Sequence, residues 1–171
     1  AARPADLPAA GVGDADGGLM AAGDLITGPG QVEVGGYLMG EGTVWRLDQE
    51  AGGVSGLWDL IVRSDDHDYA VADGVAAGVD TLAATPITAA FWSDCDSAIE
   101  AATHLAAART AWAPAGDREM HLLLDDGQHV WVAGRTRGLV VDGSLSRLGI
   151  YRALATFLAT DPTVHIVGDA P

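Results

Sequence analysis

The stretch Asp94 to Arg135, DCDSAIEAATHLAAARTAWAPAGDREMHLLLDDGQHVWVAGR, decides the fold, because its local signals are the clearest in the chain. Ser97 followed by Glu100 has the spacing of a capping box, in which each side chain answers an orphan amide of the first helical turn. Residues 98–111 are rich in alanine, and Ile99, Ala102, Leu105, Ala106 and Arg109 recur at spacings of three and four, the signature of one helical face. Ala102 and Ala106 offer only methyl groups, so that face is thin and lets a sheet approach closely. Pro114 ends the helix. Asp126-Gly127 between MHLLL and HVWVAGR predicts a tight hairpin. The unit reads helix, loop, strand, turn, strand.

Working toward the N-terminus, TPITAAFW from Thr85 supplies a strand before the helix, with Pro86 marking a strand start or an edge. Before it, SDDHDYAVADGVAAGVD reads as a polar loop carrying a second Asp-Gly at Asp73 and Gly74. LWDLIVRS reads as a strand covered on both faces at its centre, with Trp58, Leu60 and Val62 on one face and Leu57, Asp59, Ile61 and Arg63 on the other. QVEVGGYL and TVWRLD, separated by the turn at Gly40 to Gly42, read as a pair of strands with Val32, Val34, Val44 and Leu47 in the core. Residues 1–30 are dominated by alanine, glycine, proline and aspartate without period, and read as an arm that is flexible or held by a partner, with Leu19, Met20, Leu25 and Ile26 as anchors. Toward the C-terminus come GLVVD, the loop GSLSRLG, a two-faced strand in IYRALATFLAT, a turn at Asp161 and Pro162, and a short last strand VHIV whose partner is expected beyond this chain.

The 171 residues suit one domain, 31–171, plus the arm. Short β-branched runs, 23 glycines and 7 prolines favour strands joined by turns. The fold class is therefore mainly β with one principal helix, an α+β body that is β-sandwich-like with the helix packed on it.

The 9 basic residues are all arginine against 24 acidic ones, a net charge of −15. That balance argues against gripping nucleic acid through its phosphates, since binding there needs surplus cations. Cys95 is the only cysteine, which excludes an intrachain disulfide and a cysteine-rich zinc site. No apolar run approaches the roughly 20 residues that span a bilayer, and the first residues lack a signal peptide's order. A soluble protein without a membrane association is expected. The chain begins with alanine, which leaves a processed start or a trimmed piece open.

Chemistry-bearing groups are few. Asp65, Asp66, His67 and Asp68 have metal-ligand types, but consecutive side chains diverge, and the alternating oxygens of a calcium loop are missing. His121 and His129 can face each other across the hairpin, yet two imidazoles without a third local ligand make a poor metal site. No nucleophile elbow, phosphate loop or dinucleotide fingerprint is present. The expectation is no enzyme, no cofactor and no metal. Trp131, Arg135 and Arg137, with the acidic tip Asp125 and Asp126, are candidates for contact between copies, because scarce arginine among abundant aspartate makes such contacts selective.

The order of elements resembles the N-terminal ring domain of distal tail (Dit-like) proteins of long, non-contractile-tailed bacteriophages. The residues that carry the resemblance are Trp45 and Leu47, Arg63, LAAARTAWAP at 105–114, Leu122 to Leu124, Gly134 and Arg135, and FLATDP at 157–162. It covers about residues 31–167. The resemblance implies a relative of phage tail-tube subunits: a virion structural protein of the tail tip, assembled in the host cytoplasm. Six copies would form a ring joining the tail tube to the tip hub or baseplate, around the channel through which DNA leaves without specific binding. A tail-tube or other phage ring protein of the same fold, and a soluble module for a small ligand or metal, are the alternatives. Many distal tail proteins continue into a second, galectin-like domain that this sequence does not include, so a short form or a piece is expected. The acidic arm has no counterpart in that pattern and is expected to reach a neighbouring subunit.

Overall fold

The structure, a computed structural model, describes residues 21–63, 67–68, 75–76, 81–93 and 95–168. Its strands are β1 (Gln31–Val34), β2 (Tyr37–Gly40), β3 (Trp45–Leu47), β4 (Val54–Ser55), β5 (Val62–Arg63), β6 (His67–Asp68), β7 (Val75–Ala76), β8 (Thr81–Leu82) and β9 (Thr85–Ser93). After the helix α1 (Ala98–Ala111) come β10 (Arg118–Leu123), β11 (His129–Asp142), β12 (Arg152–Ala159) and β13 (His165–Ile166). The main sheet runs β2-β1-β10-β11-β12-β9-β3, with β13 paired to β11 and β4 to β9. All its pairings are antiparallel. Its two ends come together where β2 meets β3, so the sheet is nearly closed. The fold is mainly β with one principal helix, the class expected.

The helix starts where its cap predicts, with the Glu100 amide donating to the Ser97 hydroxyl at 3.2 Å, and it ends at Ala111, three residues before Pro114. Its buried face is a different one from the face expected: Ala101, Leu105, Ala108 and Ala111 are buried, whereas Ile99 is 82% exposed. Alanine surrounds the whole helix, so the periodicity cannot choose among faces; of its two large apolar side chains Leu105 is buried and Ile99 is not, so the choice falls to fit. Ala101 and Ala108 are wholly buried, so the helix backbone lies close to β2 and β11, and Leu105, Ala108 and Ala111 share one core with Val34, Met39 and Phe157. The Arg118 guanidinium donates to the Ala111 carbonyl at 2.8 Å, a cation at the helix C-terminus where the dipole favours it.

QVEVGGYL is two strands, not one. Gly35 and Gly36 have φ of 58° and 73°, the left-handed pair that a two-residue hairpin turn needs, and β1 folds back on β2. The expected partner of this segment, WRL, pairs with β9 instead. Trp45 rather than Val44 enters the core. LWDLIVRS is corrected too: Leu57 is buried, but Trp58, Leu60 and Ile61 are 63%, 65% and 45% exposed. The edge of β9 that such a strand would join is already occupied by β3 and β4, and only Val62 and Arg63 find a partner, in β8. Asp65 and Asp66 of the acidic cluster lie outside the described residues. Cys95 is buried, as a small apolar side chain would be.

HVWVAGR and GLVVD form one 14-residue strand, β11. Its register against β12 shifts between Thr136 and Gly138, so Arg137 is an extra, exposed residue. This bulge changes which parity faces inward: Val130, Val132 and Thr136 are buried before it, and Leu139 and Val141 pack on the core after it. Both halves of the strand keep an apolar inner face. VHIV has its partner within the chain: Val130 and Trp131 pair with Ile166 and His165 of β13.

Candidate functional site

The outer face of β1, β10, β11 and β13 carries a polar row that the registers define. Glu33 lies opposite His121, His121 opposite Trp131, and Trp131 opposite His165. Neighbouring strands stand about 4.8 Å apart, so these four side chains form a continuous line across four strands. The Trp131 ring is stacked on His165 at 4.1 Å between centroids and 16° between planes. On its other side His121 lies at 6.2 Å and 22°.

His121 is the hub of this row. Its Nε2 is 3.0 Å from Glu119 Oε2, and its Nδ1 is 3.3 Å from Nε2 of His129. With both rings neutral, His129 Nε2–H donates to His121 Nδ1 while His121 Nε2–H donates to Glu119, which satisfies every facing atom. Burial lowers the His129 pKa below its ordinary value, proximity to His121 lowers it further, and the Glu33 carboxylate partly opposes both.

The end of the arm covers this face. Glu33 is 2% exposed and accepts from the Leu25 amide at 3.0 Å. Gln31 Oε1 accepts from the Thr27 and Gly28 amides at 2.8 and 3.0 Å. Gly23, with φ of 90°, lies against the histidine pair so closely that a Cβ there would stand 2.6 Å from His121 Nδ1. An open cleft of about 610 Å³ remains beside it, between Asp24, Ile26, Trp131 and Ile166. Residues 21–28 are thus tied to the chain's own sheet through β1.

The five contact candidates do not form one cluster. Asp125 and Asp126 are exposed in the turn after β10, where Asp126 accepts from the Gln128 amide at 3.0 Å. Trp131 is held between two imidazoles. Arg135 is exposed on the same outer face, and Arg137 is exposed at the bulge. Among the described residues, no group of three or more histidine, cysteine, aspartate or glutamate side chains is placed to hold a metal ion, and no helix is long and apolar enough to cross a membrane. Sequence reasoning missed Glu33, Gln31 and His165. The first two carry a readable signal, polar residues alternating with the valines of a strand; His165 becomes visible only once β13 is placed beside β11.

No family model and no curated protein matches this sequence. Among solved structures, the chain is similar to the SPP1 Dit protein (gp 19.1), described as a paradigm of the hub adsorption apparatus in phages that infect Gram-positive bacteria. The TM-score is 0.60 at 12% identity, covering 78% of this chain and 51% of that one. The chain spans about half the length of that protein. At this identity the likeness is one of fold, and the fold described above is the one the two chains share.

Proposed function

We propose that this chain is a structural subunit of a bacteriophage tail tip, six copies of which close a ring between the tail tube and the tip hub or baseplate. The observation that carries the reading is the shared fold with the SPP1 Dit protein over 78% of the chain. The outer-face geometry is in keeping with it: stacked rings, an anchored segment and exposed charges suit a surface that assembles. Six copies at −15 each carry −90, and an acidic lumen would let DNA pass without adhering. A lumen lined mainly by arginine would contradict that part. In this ring the acidic tip Asp125–Asp126 and the exposed Arg135 and Arg137 are contact groups between copies, while Trp131 serves by holding His165 and β13 in place. The arm before Ala21 reaches the neighbouring subunit; if its deletion leaves the ring equally stable, that assignment fails. Electron microscopy of the purified protein tests the whole reading. Single six-fold rings with a central channel support it, stacked rings transfer it to a tail-tube subunit, and particles without rotational symmetry refute it.

A further inference from the structure

The two imidazoles at the centre of the outer face meet at their edges, nitrogen to nitrogen. His121 Nδ1 and His129 Nε2 stand 3.3 Å apart, with the ring planes 64° from each other. Two imidazole nitrogens on one tetrahedral zinc ion, each about 2.0–2.1 Å from it, stand about 3.3 Å from each other. The pair is therefore already at the spacing that such an ion imposes. The sequence offers two imidazoles and nothing further; the fold adds three features around them.

The first is the carboxylate behind the ring. His121 turns its far nitrogen, Nε2, to Glu119 Oε2 at 3.0 Å, and a metal-bound histidine characteristically donates its second N–H to a carboxylate, which fixes the ring and raises its basicity. The second is space. Gly23 carries no side chain, and the position its Cβ would take lies 2.6 Å from His121 Nδ1 and 3.1 Å from His129 Cε1. A methyl-sized notch is thus left open between the two rings, beside the nitrogen that would bind. The third is charge and access. Glu33 lies opposite His121 on the same face, Asp24 lines the cleft of about 610 Å³ that both histidines border, and carboxylates around a pair of neutral rings favour a cation. That cleft admits the water needed to complete a tetrahedron.

We infer that His121 Nδ1 and His129 Nε2 are the protein ligands of a divalent transition-metal ion of the zinc class, with water from the cleft in the remaining positions. With no ion bound, a proton on His129 Nε2 bridges the pair; on binding it moves to His129 Nδ1, and both facing lone pairs turn to the metal. Imidazole donors suit zinc, copper and nickel, whereas magnesium and calcium prefer oxygen. With two protein ligands the site is exchangeable, unlike the closed sites of structural zinc. The inference does not depend on the ring reading.

Zinc titration of the full chain tests it, by calorimetry in excess magnesium so that carboxylate-only sites are filled, and by NMR of the imidazole nitrogens. One zinc ion per chain should bind, moving the resonances of His121 and His129 and leaving that of His104. His129→Gln should weaken binding about tenfold or more, and Glu119→Gln about tenfold through the orientation of His121. His165→Gln, in the same row but not at the notch, should bind as the wild type does. Zinc should raise the melting temperature of the wild type and not that of His129→Gln. His121 is 5% exposed, so the wild-type shift of its imidazole resonance, not a variant that fails to fold, decides its part. No saturable zinc binding in magnesium, or binding that His129→Gln retains in full, overturns the site.

Discussion

Replacing Gly23 with alanine should release the end of the arm from the sheet while the rest of the fold stays intact. Gly23 has φ of 90°, a left-handed conformation that costs an L-residue with a Cβ about 1–2 kcal/mol. The new methyl would also stand 2.6 Å from His121 Nδ1 and 3.1 Å from His129 Cε1. His121 cannot readily turn away, because it is 5% exposed and both its nitrogens are engaged. Overpacking of this kind costs about 1–3 kcal/mol, so the strain totals about 2–5 kcal/mol. Opposing it is the bond from the Leu25 amide to the Glu33 carboxylate, worth about 1.5–3 kcal/mol as a hydrogen bond to a charged group. The strain matches or exceeds the local hold, and detachment of residues 21–25 is the easier way to relieve it. Hydrogen exchange should show the Leu25 amide losing protection while β11 and β12 keep theirs. The melting temperature should fall by roughly 5–10 °C, since about 1 kcal/mol moves a domain of this size by 2–4 °C. Wild-type protection at Leu25 with an unchanged melt would refute the packing argument.

His129 should make stability depend on pH. His129 has a folded-state pKa below its ordinary value, so the unfolded chain binds the proton more readily; the neutral ring's contribution is present above about pH 6.5 and is lost as the pH falls from there through the depressed folded value. Melting temperatures at pH 7.5 and 5.5 should differ less in His129→Gln than in the wild type, and an equal difference would contradict the assignment. Ser97→Ala removes the acceptor for the Glu100 amide and should cost about 1 kcal/mol in denaturant unfolding, with no effect on assembly. Arg135→Glu, at an exposed position on β11, should weaken association measured by sedimentation more than it lowers the melt; equal losses in both would make Arg135 a folding residue and not a contact.

Signals that reside in a few adjacent residues were legible. Ser97 with Glu100, Pro114, and Asp126-Gly127 each specify a local backbone event, and each appears where the sequence places it. Signals that depend on a partner were not. Residues 57–61 alternate like a strand, but β3 and β4 fill the edge they would join. The two halves of β11 read as separate strands because the bulge at Arg137 breaks the alternation that reveals a strand. The helix hid its buried face behind uniform alanine. For the outer-face site, the meeting of His121 and His129 was visible from the hairpin's length, whereas Glu33 and His165 reach the same row through pairings between distant segments. For the contact candidates, the sequence could not show that Trp131 is already engaged by two rings.

The central claim, a ring of six, is tested most directly by native mass spectrometry of the full chain across a range of concentrations. At 17.5 kDa per chain, the account predicts a dominant species of six times that mass, about 105 kDa, growing at the expense of the monomer as concentration rises. A single species at the monomer mass throughout, or a dimer that never grows larger, would contradict it.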